Sequence, residues 1–259
     1  MFRHQGKSRT FKHNLLLASV LSFVAGIVNV TGFLAFKQLT TNVTGHFALF
    51  INDVANLDFW RGTIYFIYIL SFFLGSFFAS LLIEKFRENK RLNVFVLPGI
   101  IESLLLITIA LFSDFAGLKY PDLIACLLLF AMGMQNSYVT KISNAIVRTT
   151  HLTGLFTDLG IEISQLFFPK VYPKRGKLYA TIKLRVFIIS FFFGGGLTGG
   201  FFYSKAEWEL NTLLIAALIL LGSLFYDDFR YSVLKAKRKY SQKKEVPKTS
   251  KPFVYSRTA

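Results

Sequence analysis

Thr40-Thr41-Asn42-Val43-Thr44-Gly45-His46-Phe47 returns as Thr149-Thr150-His151-Leu152-Thr153-Gly154-Leu155-Phe156, both on the pattern T-T-x-x-T-G-x-F. Each copy follows a G-x-x-N tetrapeptide, Gly26 to Asn29 and Gly133 to Asn136. An acid stands eight residues beyond each glycine, Asp53 and Glu162. Farther on, Ser71-Phe72-Phe73-Leu74-Gly75 answers Ser190-Phe191-Phe192-Phe193-Gly194. Four echoes in the same order mark an internal duplication, and a duplication sets the architecture within which other features are read.

The surrounding chain decides the solvent. Hydrophobic residues make up 53% of the 259, gathered into runs that reach the ~20 residues needed to cross a bilayer. One soluble core could not hide them all, so an all-α integral membrane protein is expected. Cys126 is the only cysteine, which excludes an intrachain disulfide. The net charge of +16 is clustered between and beyond the apolar runs, as membrane topology requires, and no nucleic-acid-binding motif accompanies it.

Six spans are expected, at about 15–36, 59–83, 93–112, 123–139, 184–203 and 210–226. A polar N-terminal segment, 1–14, precedes them and a basic tail, 227–259, follows. A basic start before an apolar run also fits a signal peptide, but this run is long and lacks a clear small-residue cleavage site. Two amphipathic helices, Val43 to Leu57 and Leu152 to Phe168, follow the Thr-Gly motifs. With the N-terminus inside, the inside segments hold 26 Lys and Arg and the outside connections only Lys37, Arg61, Lys119 and Lys205. That bias orients both termini toward the cytoplasm. Six spans in two repeats (about 15–112 and 123–226) give three apiece, and an odd number makes the repeats inverted. Inverted repeats with interrupted helices are the architecture of many secondary transporters.

The chemistry should sit at the interruptions. A Thr/Asn-rich stretch cannot lie bare in hydrocarbon, where unsatisfied backbone costs several kcal/mol per group, so it is re-entrant against protein or water, or interfacial. The amphipathic helices are ~15 residues and ~22 Å long, short for a crossing. Asn42 or Thr44, and Thr150 or Thr153, suit N-caps, and two helix N-termini facing the midplane would suit an anion. The alternative is a pair of interfacial helices with capping turns. Candidate solute-binding residues are therefore Asn29, Thr41, Thr44, Gly45, Asn136, Thr150, Thr153 and Gly154. The two asparagines could equally serve interhelical hydrogen bonds.

Candidate ion-coupling residues are Asp53, Asp158, Glu162 and Glu102. Asp158, Glu162 and Gln165 share one helix face, as do Asn42, His46 and Asp53. Carboxylates at membrane depth tend to face a cavity or a partner, although a solvated face at the membrane surface fits the same pattern. Glu102, deep in the third span, could pair with Lys37, Lys141 or Arg148, or relay protons. Lys141 and Arg148 read as positive-inside anchors. His46 and His151 do not pair at metal-ligand spacing, and neither a metal nor a cofactor is expected. Gly195-x-x-x-Gly199 and Gly196-x-x-x-Gly200 suit close helix packing.

The segment Gly26 to Leu34, the T-x-x-T-G at Thr41 to Gly45 and the G-M-Q-N…V-R-T-T-x-L-T-G at Gly133 to Gly154 resemble the YoaK family. These are uncharacterised bacterial multipass membrane proteins with a single domain of unknown function. The family pattern His-Met-Thr-Gly-Asn stands here as Asn42-Val43-Thr44-Gly45-His46. The resemblance implies a bacterial cytoplasmic (inner) membrane and brings no substrate.

The expected function is a secondary transporter of a small, anionic solute working by alternating access. The expected partners are membrane lipid and that solute, not nucleic acid, with a homo-oligomer left open. The competing reading is a non-transporting scaffold or sensor acting through the basic tail. No motif supports an enzyme.

Overall fold

In the computed structural model, described here over residues 2, 9–88, 93–112 and 119–226, every regular element is helical. The basic tail, 227–259, lies outside the described residues, as does most of the N-terminal segment. In chain order the helices are α1 (Phe11–Phe36), α2 (Val43–Ala55), α3 (Phe59–Lys85) and α4 (Val96–Leu111). There follow α5 (Pro121–Ser143), α6 (Leu152–Gln165), α7 (Arg175–Ser204) and α8 (Glu209–Tyr226), whose first turn is a 3-10 helix.

Five of these, α1, α3, α5, α7 and α8, are long and apolar enough to span a membrane. The expected third span is shorter than that. The 16 residues of α4 rise ~24 Å, less than the ~30 Å hydrocarbon core; Pro98 lies in its first turn, and its apolar run is bounded in the sequence by Asn93 on one side and Ser113-Asp114 on the other. Two other helices exceed expectation. The first turns of α5 start at Pro121, which suits a helix start because its missing N–H would be unpaired there anyway. In α7 the helix begins nine residues before the apolar run, at Arg175, and reaches 30 residues.

Burial sorts the spans into layers. The apolar windows of α1 and α5 are 67% and 61% buried, whereas those of α3 and α7 are only 22% buried. Thus α1 and α5 form the centre, and α3 and α7 turn wide apolar faces outward to lipid. The central pair is antiparallel, since Gly32 approaches Leu128 while the Gln135 side chain donates to the Leu21 carbonyl at 2.7 Å. Each central helix packs against a span from the other half of the sequence, α1 against α7 and α5 against α3.

Glycine makes both crossings. A Cβ on Gly26 would lie 2.1 Å from the Phe192 carbonyl oxygen, and one on Gly195 2.0 Å from that of Phe23. At the other crossing a Cβ on Gly133 would lie 2.1 Å from the Phe72 oxygen, and one on Gly75 2.0 Å from that of Phe130. Backbone meets backbone at each point, which only a residue without Cβ allows. Gly199, one turn beyond Gly195, extends the first contact along Ile27.

Candidate functional site

The Thr-Gly segments begin where the central helices stop. Lys37, at φ 58, ends α1, and Asn144 and Ala145, at φ 57 and 61, end α5. Left-handed residues there reverse the chain. The Thr41 hydroxyl then donates to the Asn29 side-chain oxygen at 2.8 Å, and the Thr150 hydroxyl to that of Asn136, also at 2.8 Å. Both asparagines stand seven residues before the last residue of their helix, so each loop is drawn back ~10 Å along it. Because α1 and α5 are antiparallel, the two loops fold back from opposite ends of the central pair toward its middle. Thr40 and Thr149 are buried beside them, with the Thr40 hydroxyl donating to the Val28 carbonyl at 3.3 Å.

The helices that follow differ at their starts. Asn42 caps α2, accepting from the Gly45 N–H at 3.1 Å. The expectation of Thr150 or Thr153 as the cap of α6 is corrected, since His151 holds that position with no side-chain cap bond. Thr150 is engaged by Asn136, and Thr153 is exposed within the first turn. Thr44 is exposed in the same way at the start of α2. A Cβ on Gly154 would lie 2.3 Å from the His151 ring, so that glycine makes room for the imidazole.

The acids matched by the repeat have unlike surroundings. Glu162 accepts from Nε and Nη2 of Arg185, each at 2.9 Å, and Asp158 meets the same guanidinium at 3.3 Å. Glu162 is thus turned to a partner on α7, while Asp158 touches the same guanidinium and stays exposed. Asp53 has no cation within ion-pair distance among the described residues and accepts only from the neighbouring Asn52 amide at 3.0 Å. Glu102 is fully buried, but the expected pairing with Lys37, Lys141 or Arg148 is corrected. Its partner is the Tyr138 hydroxyl at 2.7 Å, and its second oxygen has none. Lys141 pairs instead with Glu84 at 2.7 Å.

Two cavities flank the Arg185–Glu162 fork. One of about 410 Å³ is lined by Arg148, His151, Gly154, Asp158 and Arg185 among others. The other, about 390 Å³, has Glu162 in its wall, and Thr181 borders both, so the ion pair stands between them. Arg148 is exposed and has no acid within ion-pair distance among the described residues. The first cavity thus offers one uncommitted cation beside the second Thr-Gly turn. Among the described residues no group of three His, Cys, Asp or Glu side chains could hold a metal ion.

Three side-chain groups went unnoticed in the sequence. Arg185 lies ten residues into α7, and only its one-turn spacing after Thr181 hinted at an inward face. Tyr138 is one aromatic among many in an apolar run. His46, read as a non-ligand on one polar face with Asn42 and Asp53, is instead buried against Tyr65 and Tyr68, and the Tyr68 hydroxyl donates to Asp122 at 2.5 Å.

Lipid-facing spans around a buried central pair with polar clamps define a multipass helical membrane protein. The chain belongs to the family described as "Protein of unknown function (DUF1275)", whose profile matches residues 17–226. It is similar to the UPF0700 transmembrane protein YoaK of Bacillus subtilis (strain 168), at 27% identity over 159 residues, covering 60% of this chain and 69% of that protein. No solved structure matches.

Proposed function

We propose that this protein is a secondary transporter that moves a small anionic solute across the bacterial cytoplasmic membrane by alternating access between two inverted three-helix halves. The observation that carries the reading is the Thr–Asn clamp, built twice with the same 2.8 Å bond by loops that fold back from opposite ends of the antiparallel α1 and α5. Two like turns held against an antiparallel pair give two like gates, and like gates give outward- and inward-open states of similar energy. The reciprocal glycine crossings supply the seams along which the halves rock.

The solute seat lies among Thr153, Gly154, Arg148 and His151 at one turn and Thr44 and Gly45 at the other, with Asn29 and Asn136 holding the turns to which it binds. Arg148, with no acid within ion-pair distance among the described residues, is the counter-ion for a carboxylate. Asp53 and the Asp158–Glu162–Arg185 group couple the driving ion, and the buried Glu102–Tyr138 pair lies along the same helix bundle. The bias of Lys and Arg toward the inside segments supports a topology with both termini in the cytoplasm.

The test is thermal stabilisation of the purified full-length protein by a panel of small carboxylates and inorganic anions. Proteoliposome uptake of any labelled anion that stabilises completes it. A ligand at a hundredfold its Kd adds about 2.7 kcal/mol, or a rise in Tm of about 5–10 °C. That rise should vanish in Arg148→Gln. Uptake that survives Thr44→Val/Thr153→Val unchanged removes the site, and a panel with no stabilising member removes the transporter reading for anions.

A further inference from the structure

The cavity between the end of α6 and the start of α7 has a different character from the one beside Gly154. Its volume is about 390 Å³, and its walls include Val171, Tyr172 and Leu178, with Lys174 and Lys177 as its cations. Glu162 is the one acid that borders it, and both of its oxygens are taken by Arg185. Neither Lys174 nor Lys177 has an acid within ion-pair distance among the described residues. The cavity is therefore cationic on balance and apolar in most of its wall. Nearby, Arg175 ties the start of α7 to the end of α6 by donating to the Leu166 carbonyl at 3.3 Å.

Depth follows from the length of α7. Thirty residues rise ~45 Å, about 15 Å more than the hydrocarbon core. All of its basic residues except Arg185 fall within its first nine positions, so the excess lies at that end and sets residues 175–184 among the lipid headgroups. Phe167, Phe168, Tyr172 and Tyr179 are 77%, 60%, 41% and 53% exposed around the same loop, as in the aromatic belts found at that depth.

We propose that this cavity seats the headgroup of an anionic phospholipid, the phosphodiester lying between Lys174 and Lys177 and the acyl chains running down the exposed faces of α6 and α7. A free phosphate would use the lysines but not the apolar walls, which an amphiphile covers. The site is distinct from the proposed solute seat, because neither the Thr-Gly turns nor Arg148 border it.

Native mass spectrometry of the delipidated full-length protein in 0.5 M ammonium acetate tests this. At that ionic strength the Debye length is about 4 Å, so a phosphodiester in direct contact with a lysine is held while longer-range attraction to basic segments is screened. Phosphatidylglycerol, phosphatidylcholine and inorganic phosphate are added back separately. Phosphatidylglycerol should be retained over phosphatidylcholine, and Lys174→Gln/Lys177→Gln should lower its occupancy constant about thirtyfold, roughly fivefold per lysine. Lys119→Gln/Lys205→Gln, at the other end of the bundle, should leave it unchanged. Equal retention of the two lipids, an unaltered constant in the first double variant, or phosphate binding that matches phosphatidylglycerol each overturns the proposal. Should the variant fold poorly, a photoreactive phosphatidylglycerol on the wild-type protein decides. Label within 165–181 supports the seat, and label confined to other segments refutes it.

Discussion

Replacing Gly75 by alanine places a methyl carbon 2.0 Å from the Phe130 carbonyl oxygen. An unstrained contact needs about 3.4 Å or more, so α3 and α5 must separate locally by roughly 1.4 Å. A gap of 0.5–1 Å already forfeits about a quarter to a half of the dispersion attraction between facing atoms. The rigid backbone on the other side leaves no rotamer by which to escape. Overpacking of this kind costs about 1–3 kcal/mol, and lost contacts along the pair add to it. Alanine's better helix propensity returns about 0.5–1 kcal/mol. The net destabilisation is about 2 kcal/mol, which lowers Tm by about 4–8 °C for a chain of this size. Gly222, with nothing within 4 Å of its Cβ position, is the internal control. Its alanine variant keeps the propensity gain alone and should melt about 1–3 °C higher. Both are read from thermal unfolding followed by tryptophan emission in one detergent. Because Gly26, Gly133 and Gly195 meet backbone at 2.0–2.1 Å in the same way, their alanine variants should fall as far as Gly75→Ala. A Gly75→Ala protein that melts at or above wild type, or four variants with widely scattered losses, would refute crossings made by glycine.

Further outcomes follow from the site. Arg185→Leu leaves Glu162 and Asp158 without a cation in a half-buried position and should cost about 2–4 kcal/mol. Much of that should return in Arg185→Leu/Glu162→Leu, so a double-mutant cycle by denaturant unfolding reads the coupling. Asn29→Ala and Asn136→Ala should each lose about 1 kcal/mol, and the two losses should be alike because the bonds are alike. Tyr138→Phe strands the one bonded oxygen of Glu102 and should cost about 1–3 kcal/mol, whereas Glu102→Gln, still able to accept the tyrosine hydroxyl, should cost less. Gly154→Ala displaces the tip of an exposed side chain, His151, so its Tm should change little. Stabilisation by anions should fall if the imidazole belongs to their seat.

Helix existence was legible because runs of Leu, Phe and Ile leave no other way to satisfy backbone groups in lipid. The ends were less so. Arg175 to Lys183 look like loop by composition, yet they extend α7, since arginine, lysine and leucine are good helix formers and the headgroup layer tolerates their charge. The partners of the polar residues were not legible. Thr41 and Asn29, like Thr150 and Asn136, were read as separate solute ligands, because only the chain reversal after each central helix brings threonine back onto asparagine. Glu102 was matched with the wrong side chains because charge suggested lysine or arginine, while the packing of α4 on α5 delivers a tyrosine. The fork from Arg185 to Glu162 depends on how α7 lies against α6, which no spacing within either helix reveals. Asp53 and Glu162 hold equivalent sequence positions, but the neighbour that neutralises one has no counterpart beside the other.

Each central helix finds its closest neighbour in the opposite half of the chain, and this governs the order of assembly. When α1 enters the membrane, the groove at Gly26 has nothing to receive until α7 is synthesised, more than 140 residues later. The first four helices are therefore not a self-sufficient module. Expressed alone, they would leave α1 with its small-residue seam bare, open to a second copy or to the insertion machinery.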